Sequence, residues 1–325
     1  MAIKICGTGS FLPAHRVTND DLSKIMDTSD EWIRTRTGIE ARHLVTDETT
    51  TSMSVEAAKN AMEQANVSAE EVDLIIAATI SQDYVIPTLA CEVQREIGAK
   101  NAVAFDIGAA CSGFLFALNT AYSYLKTGQY QTALILGAET LSKMMDWEDR
   151  STCVLFGDGA GAAIVRNVQE EDGIGIESLI QGSDGAKGMV LACKGRPVQN
   201  PYVETKEERM SYVTMDGQEV YKFAVRTVPK AIKSAVEKAG VSLDEVDYFV
   251  LHQANIRIIE SVAKHLHQPI EKFPTNLQEC GNISAASVPI LLDNINRNGL
   301  LKKGNRIVLA GFGAGLTWGA AVLTW

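Results

Sequence analysis

The sequence predicts an α/β protein built from two related βα halves, and three observations lead there. A 17-residue segment, Ala57–Asp73, returns as Ala231–Asp247 with ten identical positions, where composition alone gives about one or two. The same offset of 174 residues carries Leu134-Ile-Leu-Gly137 onto Val308-Leu-Ala-Gly311, and Cys111-Ser-Gly-Phe-Leu onto Ala285-Ala-Ser-Val-Pro. Segments of helical apolar spacing alternate with short continuous apolar runs, the pattern of buried strands between helices. At 325 residues the chain exceeds one ordinary core. The duplication therefore reads as two halves, 1–172 and 173–325, with a period too long for a solenoid.

The elements follow in order. Met1–Ser10 reads as a first strand and turn without a leader's apolar run, and no later run reaches membrane-spanning length. A soluble, cytoplasmic protein is the expectation. Thr18-Asn-Asp-Asp supplies helix-start chemistry for Leu22–Met26, and Ser29 or Asp30 starts a second short helix that Gly38 stops. On that helix Trp32 and Arg36 stand four apart. They either stack on a base and meet a phosphate or form an exposed cation–aromatic contact. Met53, Ala57, Ala61, Met62 and Ala65 have helical spacing, and Val72–Thr79 follows as a buried strand. Ala102–Ile107 is strand-like and gives way at Gly108-Ala-Ala-Cys111 to an apolar helix. Gly161-Ala-Ala-Ile-Val165 matches Gly319-Ala-Ala-Val-Leu323 as a terminal strand of each half.

The halves differ most over residues 182–216, which is loop chemistry: a lid or binding loop, or a connector. Asp216-Gly-Gln-Glu-Val220 leads into a helix through Lys238 that Pro229 kinks or breaks. Tyr248–His252 is a buried strand ending in histidine. Ala254 or Asn255 opens the next helix, with Ile256, Ile259, Ala263 and Leu266 inward and Arg257 and Lys264 outward. Pro274–Asn282 is a loop into a helix near Ser284, and Ile307–Leu323 closes the chain as strand, Gly-rich turn and strand.

Several chemistries are disfavoured at once. A formal charge of −10 opposes general nucleic-acid binding. Six scattered cysteines with no CxxC pair, and no metal-type spacing to the five histidines, argue against disulfides and zinc. Gly157-Asp-Gly-Ala-Gly161 and Gly311-Phe-Gly-Ala-Gly315 run into strands, whereas a dinucleotide fingerprint opens a helix. What remains is Cys111, His252 and Asn282, each where a strand ends or a helix begins, the place where open α/β layers bind ligands. The small residues before Cys111 leave its sulfur accessible, and a helix N-terminus favours thiolate and offers N–H groups to an oxyanion. Plainer readings are a buried core cysteine, a structural histidine and a helix-capping asparagine. The repeat puts Cys111 and Asn282 in nearly equivalent places, facing each other across a pseudo-twofold.

Gly108-Ala-Ala-Cys-Ser-Gly113, His252-Gln-Ala-Asn-Ile-Arg257, Gly281-Asn-Ile-Ser-Ala-Ala-Ser287 and Gly311-Phe-Gly-Ala-Gly-Leu-Thr-Trp-Gly319 together resemble the β-ketoacyl-acyl carrier protein synthase III family. The resemblance spans essentially the whole chain. It implies a thiolase-like fold: two duplicated halves, each a five-stranded sheet flanked by helices, in a five-layered α-β-α-β-α core, usually as a homodimer. It implies an acyltransferase that needs no cofactor and starts fatty-acid synthesis by decarboxylative Claisen condensation of an acyl-CoA primer with malonyl-carrier protein. Cys111 would carry the acyl group, with the backbone N–H groups of Cys111 and Ala314 holding the oxyanion. His252 and Asn282 would donate to the malonyl thioester oxygen as carbon dioxide leaves, and a carboxylate at 282 would oppose that enolate.

By the same resemblance Trp32 and Arg150 would sandwich the CoA adenine, and Arg36 would meet its phosphates. Thr28, Gly217, Asn255 and Phe312 would line the pantetheine tunnel. Gln253, Ala254, Asn255, Ile256 and Arg257 resemble the carrier-protein motif, with Lys222, Arg257 and Lys264 as its basic patch. Ile86 would border the primer pocket from the partner subunit, where acetyl-specific members often have phenylalanine, and Ala314 replaces a frequent glycine. Acetyl and branched primers both stay open. Gly311–Gly319 lacks the second cysteine of a degradative thiolase, and Asn282 departs from the histidine of elongating synthases. A cysteine hydrolase would send the same acyl group to water.

Overall fold

The computed structural model describes residues 2–168, 175–198, 200–203 and 212–325. In chain order the elements are β1 (Ala2–Phe11), β2 (Arg16–Thr18), α1 (Asn19–Leu22), α2 (Asp30–Thr37), β3 (Ala41–His43), α3 (Thr50–Ala65), β4 (Leu74–Ala78), α4 (Leu89–Ile97), β5 (Val103–Ile107), α5 (Gly113–Lys126), β6 (Thr132–Thr140) and β7 (Asp158–Val168). They continue with β8 (Gly175–Ser183), β9 (Leu191–Ala192), β10 (Thr214–Met215), α6 (Gly217–Ala239), β11 (Tyr248–Leu251), α7 (Ile256–Leu266), α8 (Leu277–Cys280), α9 (Ser287–Arg297), β12 (Arg306–Gly313) and β13 (Thr317–Thr324). The expected boundary at residues 172 and 173 lies outside the described residues. So do residues 199 and 204–211 of the loop expected over 182–216.

The duplicated segment folds twice into the same unit. α3 and α6 both end on a left-handed cap, Asn66 and Gly240, and a serine-capped 3-10 turn follows, with Glu71 or Glu245 closing the capping box. Each unit then enters a parallel strand, β4 or β11. The first sheet has the order β1-β7-β6-β4-β5 and the second β8-β13-β12-β11, with matching parallel and antiparallel pairs. The equivalence stops at the edge. By the 174-residue offset β5 falls on residues 277–281, which form α8 and its cap, so the second sheet has four strands among the described residues instead of the expected five.

Strand alternation assigns the layers. Ile75, Ala77, Leu134 and Leu136 pack outward on α3 and α4, whereas Leu74, Ile76, Ala133 and Ile135 pack inward on α5 and α9. The second sheet repeats this, with Ile307 and Leu309 facing α5 and α9 and Val308, Ala310 and Phe249 facing α6 and α7. Both faces of each sheet are buried, which explains continuous apolar runs in place of alternating ones. The result is the five-layered, thiolase-like core.

Two sequence expectations change in detail. α1 ends at Leu22 rather than Met26, because the Thr18–Asp21 capping box sets the start at Asn19 and the exposed Ser23–Ile25 stretch has no apolar face to bury. Pro229 lies inside α6, which runs through it without a break in assignment.

Candidate active site

Two glycines related by the 174-residue offset bring the halves together. A Cβ built on Gly137 would stand 2.2 Å from Ala285 O, and one on Gly311 would touch Cys111 O at 3.5 Å and His252 Cβ at 3.7 Å. Each central strand thus lets the other half's turn press against it. Those turns are also copies: 3-10 turns Ala110–Ser112 and Ser284–Ala286 precede α5 and α9, and each opens on a non-glycine residue at φ +45°, Ala110 or Ser284. The left-handed residue turns the chain sharply, which sets Cys111 at the tip of its elbow.

Cys111, His252 and Asn282 line one cavity of about 150 Å³, together with Gly217, Asn255 and Phe312. His252 follows β11 and is buried, its ring edge-on to Phe312 at 5.3 Å. Its Nδ1 lies 2.5 Å from Ser287 Oγ, and that hydroxyl accepts from Gln253 N at 3.3 Å. In the tautomer in which Ser287 Oγ donates to Nδ1, the hydrogen of the neutral ring stands on Nε2. Burial drives the His252 pKa down to about 3, so the ring is neutral at ordinary pH. Asn282 is held in the same sense. Its Oδ1 accepts from Ser284 N at 2.9 Å and its backbone bonds Leu155 O and Gly157 N, leaving the amide NH2 as its unanchored end. A neutral imidazole and an amide NH2 are therefore presented at one cavity.

The thiol does not behave as the helix N-terminus alone suggests. α5 begins only at Gly113, and burial pushes the Cys111 pKa up to about 12, with the nearby Glu139 carboxyl adding to the rise. A thiolate here would need a proton acceptor within the site. Ala314 lines a second, smaller cavity on Cys111, about 60 Å³, with Ile80, Leu141, Met145 and Cys193. The Thr317 hydroxyl accepts from or donates to Ser112 Oγ at 2.7 Å and bonds Ala109 O and Ala314 O, which fastens the closing turn to the elbow. Residues from 182–216 form walls here: Leu191 borders both cavities, Met215 the first and Val213 the second.

The other sequence-chosen residues are spread more widely. Trp32, Arg36 and Arg150 cluster at the surface, with guanidinium carbons 4.8 Å (Arg36) and 5.1 Å (Arg150) from the indole centroid. Arg150 also bonds the Asp27 carbonyl and carboxylate. A 5.1 Å separation is one stacking contact and holds no ring between Trp32 and Arg150, so the adenine sandwich is closed as the structure stands. Thr28 lines neither cavity, and its Oγ1 is buried without a hydrogen-bond partner among the described residues. Ile86 is 83% exposed and away from both cavities.

Within the 253–257 motif the residues separate. Gln253 is buried, its Nε2 donating to Leu251 O and its Oε1 accepting from Asn276 N, so it has no surface to offer a partner protein. Ala254 and Asn255 line the first cavity, and Asn255 caps α7. Ile256 is half-buried against α2 at Gly38. Arg257 and Lys264 are exposed on α7, and Arg257 also donates to Thr35 O. Lys222 is exposed on α6 and paired with Glu219 at 2.8 Å. Reasoning from sequence missed Glu139, Ser284, Ser287 and Thr317. Ser284 alone carried a signal, since the offset sets it on Ala110.

Residues 105–185 match the family description 3-oxoacyl-[acyl-carrier-protein] synthase III, and residues 236–325 match its C-terminal part. The chain is 51% identical, over 100% of its own length and 99% of the relative's, to beta-ketoacyl-[acyl-carrier-protein] synthase III of Clostridium acetobutylicum. Among solved structures it is similar to 3-oxoacyl-[acyl-carrier-protein] synthase III from Aquifex aeolicus VF5, with 46% identity, a TM-score of 0.92 and 99% and 100% coverage of the two chains. The priming β-ketosynthase of the R1128 polyketide pathway follows at 35% identity and TM-score 0.93, with 99% and 96% coverage.

Proposed function

Because the chain belongs to the β-ketoacyl-[acyl-carrier-protein] synthase III family, we propose that Cys111, His252 and Asn282 perform its condensation at the cavity they share. The chain is an acyltransferase that initiates fatty-acid synthesis. In our reading Cys111 attacks the thioester of an acyl-CoA primer, its sulfur forms the new acyl bond, and CoA leaves as the thiol. The backbone N–H groups of Cys111 and Ala314 face the resulting oxyanion. Malonyl-carrier protein then enters, its carboxylate departs as carbon dioxide, and the electron pair left behind is held as an enolate by Nε2–H of His252 and Nδ2–H of Asn282. The enolate carbon attacks the acyl-enzyme, Cys111 leaves, and β-ketoacyl-carrier protein results. No step requires a cofactor.

One observation carries this reading: both side chains are held at their far ends, Nδ1 of His252 by Ser287 and Oδ1 of Asn282 by the Ser284 N–H, and with the imidazole hydrogen on Nε2 each presents a donor to the cavity. A donor pair fixed before the charge appears stabilises the transition state without reorganising.

Three further parts belong to the proposal. The cavity mouth, at Gly217 and Asn255, takes the pantetheine arm, while Trp32, Arg36 and Arg150 meet the CoA nucleotide once Arg150 leaves Asp27. Arg257, Lys264 and Lys222 meet the acidic carrier protein, and Arg226, exposed one turn after Lys222 and without an ion pair among the described residues, extends that face. A homodimer pairs the free edge of β5 and buries the loop Tyr84–Ile86, where Val85 is 78% exposed, and brings the partner's loop to the second cavity. Among the described residues no helix is long and apolar enough to cross a membrane, and we place the enzyme in the cytoplasm.

The test separates the half-reactions. Cys111→Ser loses the acyl adduct seen by mass spectrometry, and His252→Ala and Asn282→Ala keep it but lose carbon dioxide release from malonyl-carrier protein. Unchanged decarboxylation in those two variants overturns the assignment, and acyl transfer to water without carbon dioxide marks a hydrolase.

A further inference from the structure

Glu139, on β6, is fully buried, and the mechanism above gives it no task. Its Oε2 accepts from Ser81 Oγ at 2.5 Å, Ile80 N at 3.1 Å and Thr79 Oγ1 at 3.3 Å. Among the described residues its Oε1 has no hydrogen bond of standard geometry, and neither has the buried hydroxyl of Ser284. Ser284 and Cys111 line the second cavity together, and the Ser284–Ala286 turn presses on the strand of Glu139, where a Cβ on Gly137 would stand 2.2 Å from Ala285 O. The Ser284 hydroxyl lowers the pKa of both the thiol and the carboxyl, and the Ala285 N–H also lowers that of the carboxyl. Unpartnered buried oxygens in a packed core are costly, and the turn that carries the Ser284 hydroxyl packs against both the Cys111 turn and the strand of Glu139.

We infer that Glu139 receives the Cys111 proton through Ser284 and so governs when the nucleophile forms. The inference rests on reading Cys111 as the nucleophile. The S–H bond of Cys111 breaks as its proton bonds to Ser284 Oγ. The serine O–H bond breaks as its proton bonds to Glu139 Oε1. Ser284 ends as a hydroxyl, and the net charge is unchanged: thiol and carboxylate become thiolate and carboxylic acid. Glu139 touches neither sulfur nor substrate and is a positioning residue.

The surroundings favour this acceptor. Burial raises the Glu139 pKa to about 7, whereas His252, the other ionisable group at the thiol, is held near 3 and has Nδ1 engaged by Ser287. The charged groups on neighbouring elements are committed elsewhere. Asp158 of β7 bonds Ser142 and Val45, and Asp83 after β4 bonds Thr50, Thr51 and Lys143. Glu92 of α4 bonds Thr51, Asp106 of β5 bonds Leu89 and Ala90, and Asp293 of α9 bonds Arg297. Cys193, across the second cavity, has its own pKa raised by burial.

Because thiol and carboxyl share one proton, their titration belongs to the pair. The test is the rate of iodoacetamide alkylation, mapped by mass spectrometry, in the parent protein, Glu139→Gln and Ser284→Ala between about pH 6 and about pH 9. Cys111→Ser identifies the labelled thiol, and thermal melts confirm folding. The parent rate rises with a midpoint near pH 7, and both variants react roughly tenfold or more slowly at that pH, their midpoints displaced upward. Glu139→Asp, which keeps a carboxyl, recovers part of the rate. An unchanged or faster Glu139→Gln overturns the inference, faster being what removal of a repelling charge alone produces. Label on another cysteine in the parent instead overturns the nucleophile assignment on which the inference rests.

Discussion

Replacing Asn282 with aspartate changes one atom at the cavity. Asn282 Oδ1 is anchored by the Ser284 N–H at 2.9 Å, and aspartate keeps that bond. The other end changes from a donor into an acceptor carrying charge. Loss of one preorganised donor at a developing anion costs about 3 kcal/mol, roughly a hundredfold to a thousandfold in rate, and repulsion between two negative charges adds to it. Acylation of Cys111, which does not use the Asn282 amide, proceeds. Burial and the loss of solvent raise the pKa of the new carboxyl, so acid converts it into a neutral donor and partly restores decarboxylation as the pH falls toward about 5. Carbon dioxide release from labelled malonyl-carrier protein, measured beside acyl-enzyme mass over that range, reads both effects. A variant that keeps decarboxylation within about fivefold of the parent at neutral pH refutes the donor role.

Other outcomes follow from single contacts. A Cβ on Gly313 would stand 2.6 Å from Cys111 N and 3.1 Å from Ser112 N, so Gly313→Ala displaces the elbow by most of an ångström and slows acylation about a hundredfold. A melt unchanged alongside unchanged acylation contradicts that. Arg257→Glu weakens carrier-protein binding while CoA binding holds, whereas Gln253→Ala leaves carrier affinity intact and lowers stability by about 1 to 3 kcal/mol, since it strips partners from Leu251 O and Asn276 N. Carrier titrations and urea unfolding separate the two. His252 titrates near 6.5 when unfolded and near 3 when folded, so the unfolded chain takes the proton first and stability falls as pH drops between those values. Going from pH 6 to pH 5 the parent loses roughly 1 kcal/mol that His252→Asn does not. Glu139, raised on folding, acts in the opposite direction in both proteins and cancels in the difference.

Much of the architecture was legible because a repeat reports topology directly. Ten identities in one helix–turn–strand unit, carried on by the same offset, located both central strands, both elbows and both of the helices behind them. The offset failed where the copies diverged: residues 277–281 became a short helix in place of an edge strand, since this segment now sets Asn282 instead of extending a sheet. The convergence of Cys111, His252 and Asn282 on one cavity was visible in residue type and place. Their electrostatics were not, because a pKa follows from burial, and a helix N-terminus two residues away does not outweigh the loss of water. Gln253 was grouped with the carrier-protein motif by resemblance, yet it turns inward to bond Leu251 and Asn276. Glu139 lay in a strand that read as uniformly apolar, and nothing local marks a carboxyl that faces another half of the molecule.

The alanine before Cys111 sits where L-residues resist going, at a cost of roughly 1–2 kcal/mol. Glycine there would relieve that burden and yield a tougher protein, yet it would also let the sulfur wander through many orientations. Heat resistance and turnover are thereby set against each other at residue 110, and a search for hardier variants should leave that alanine alone.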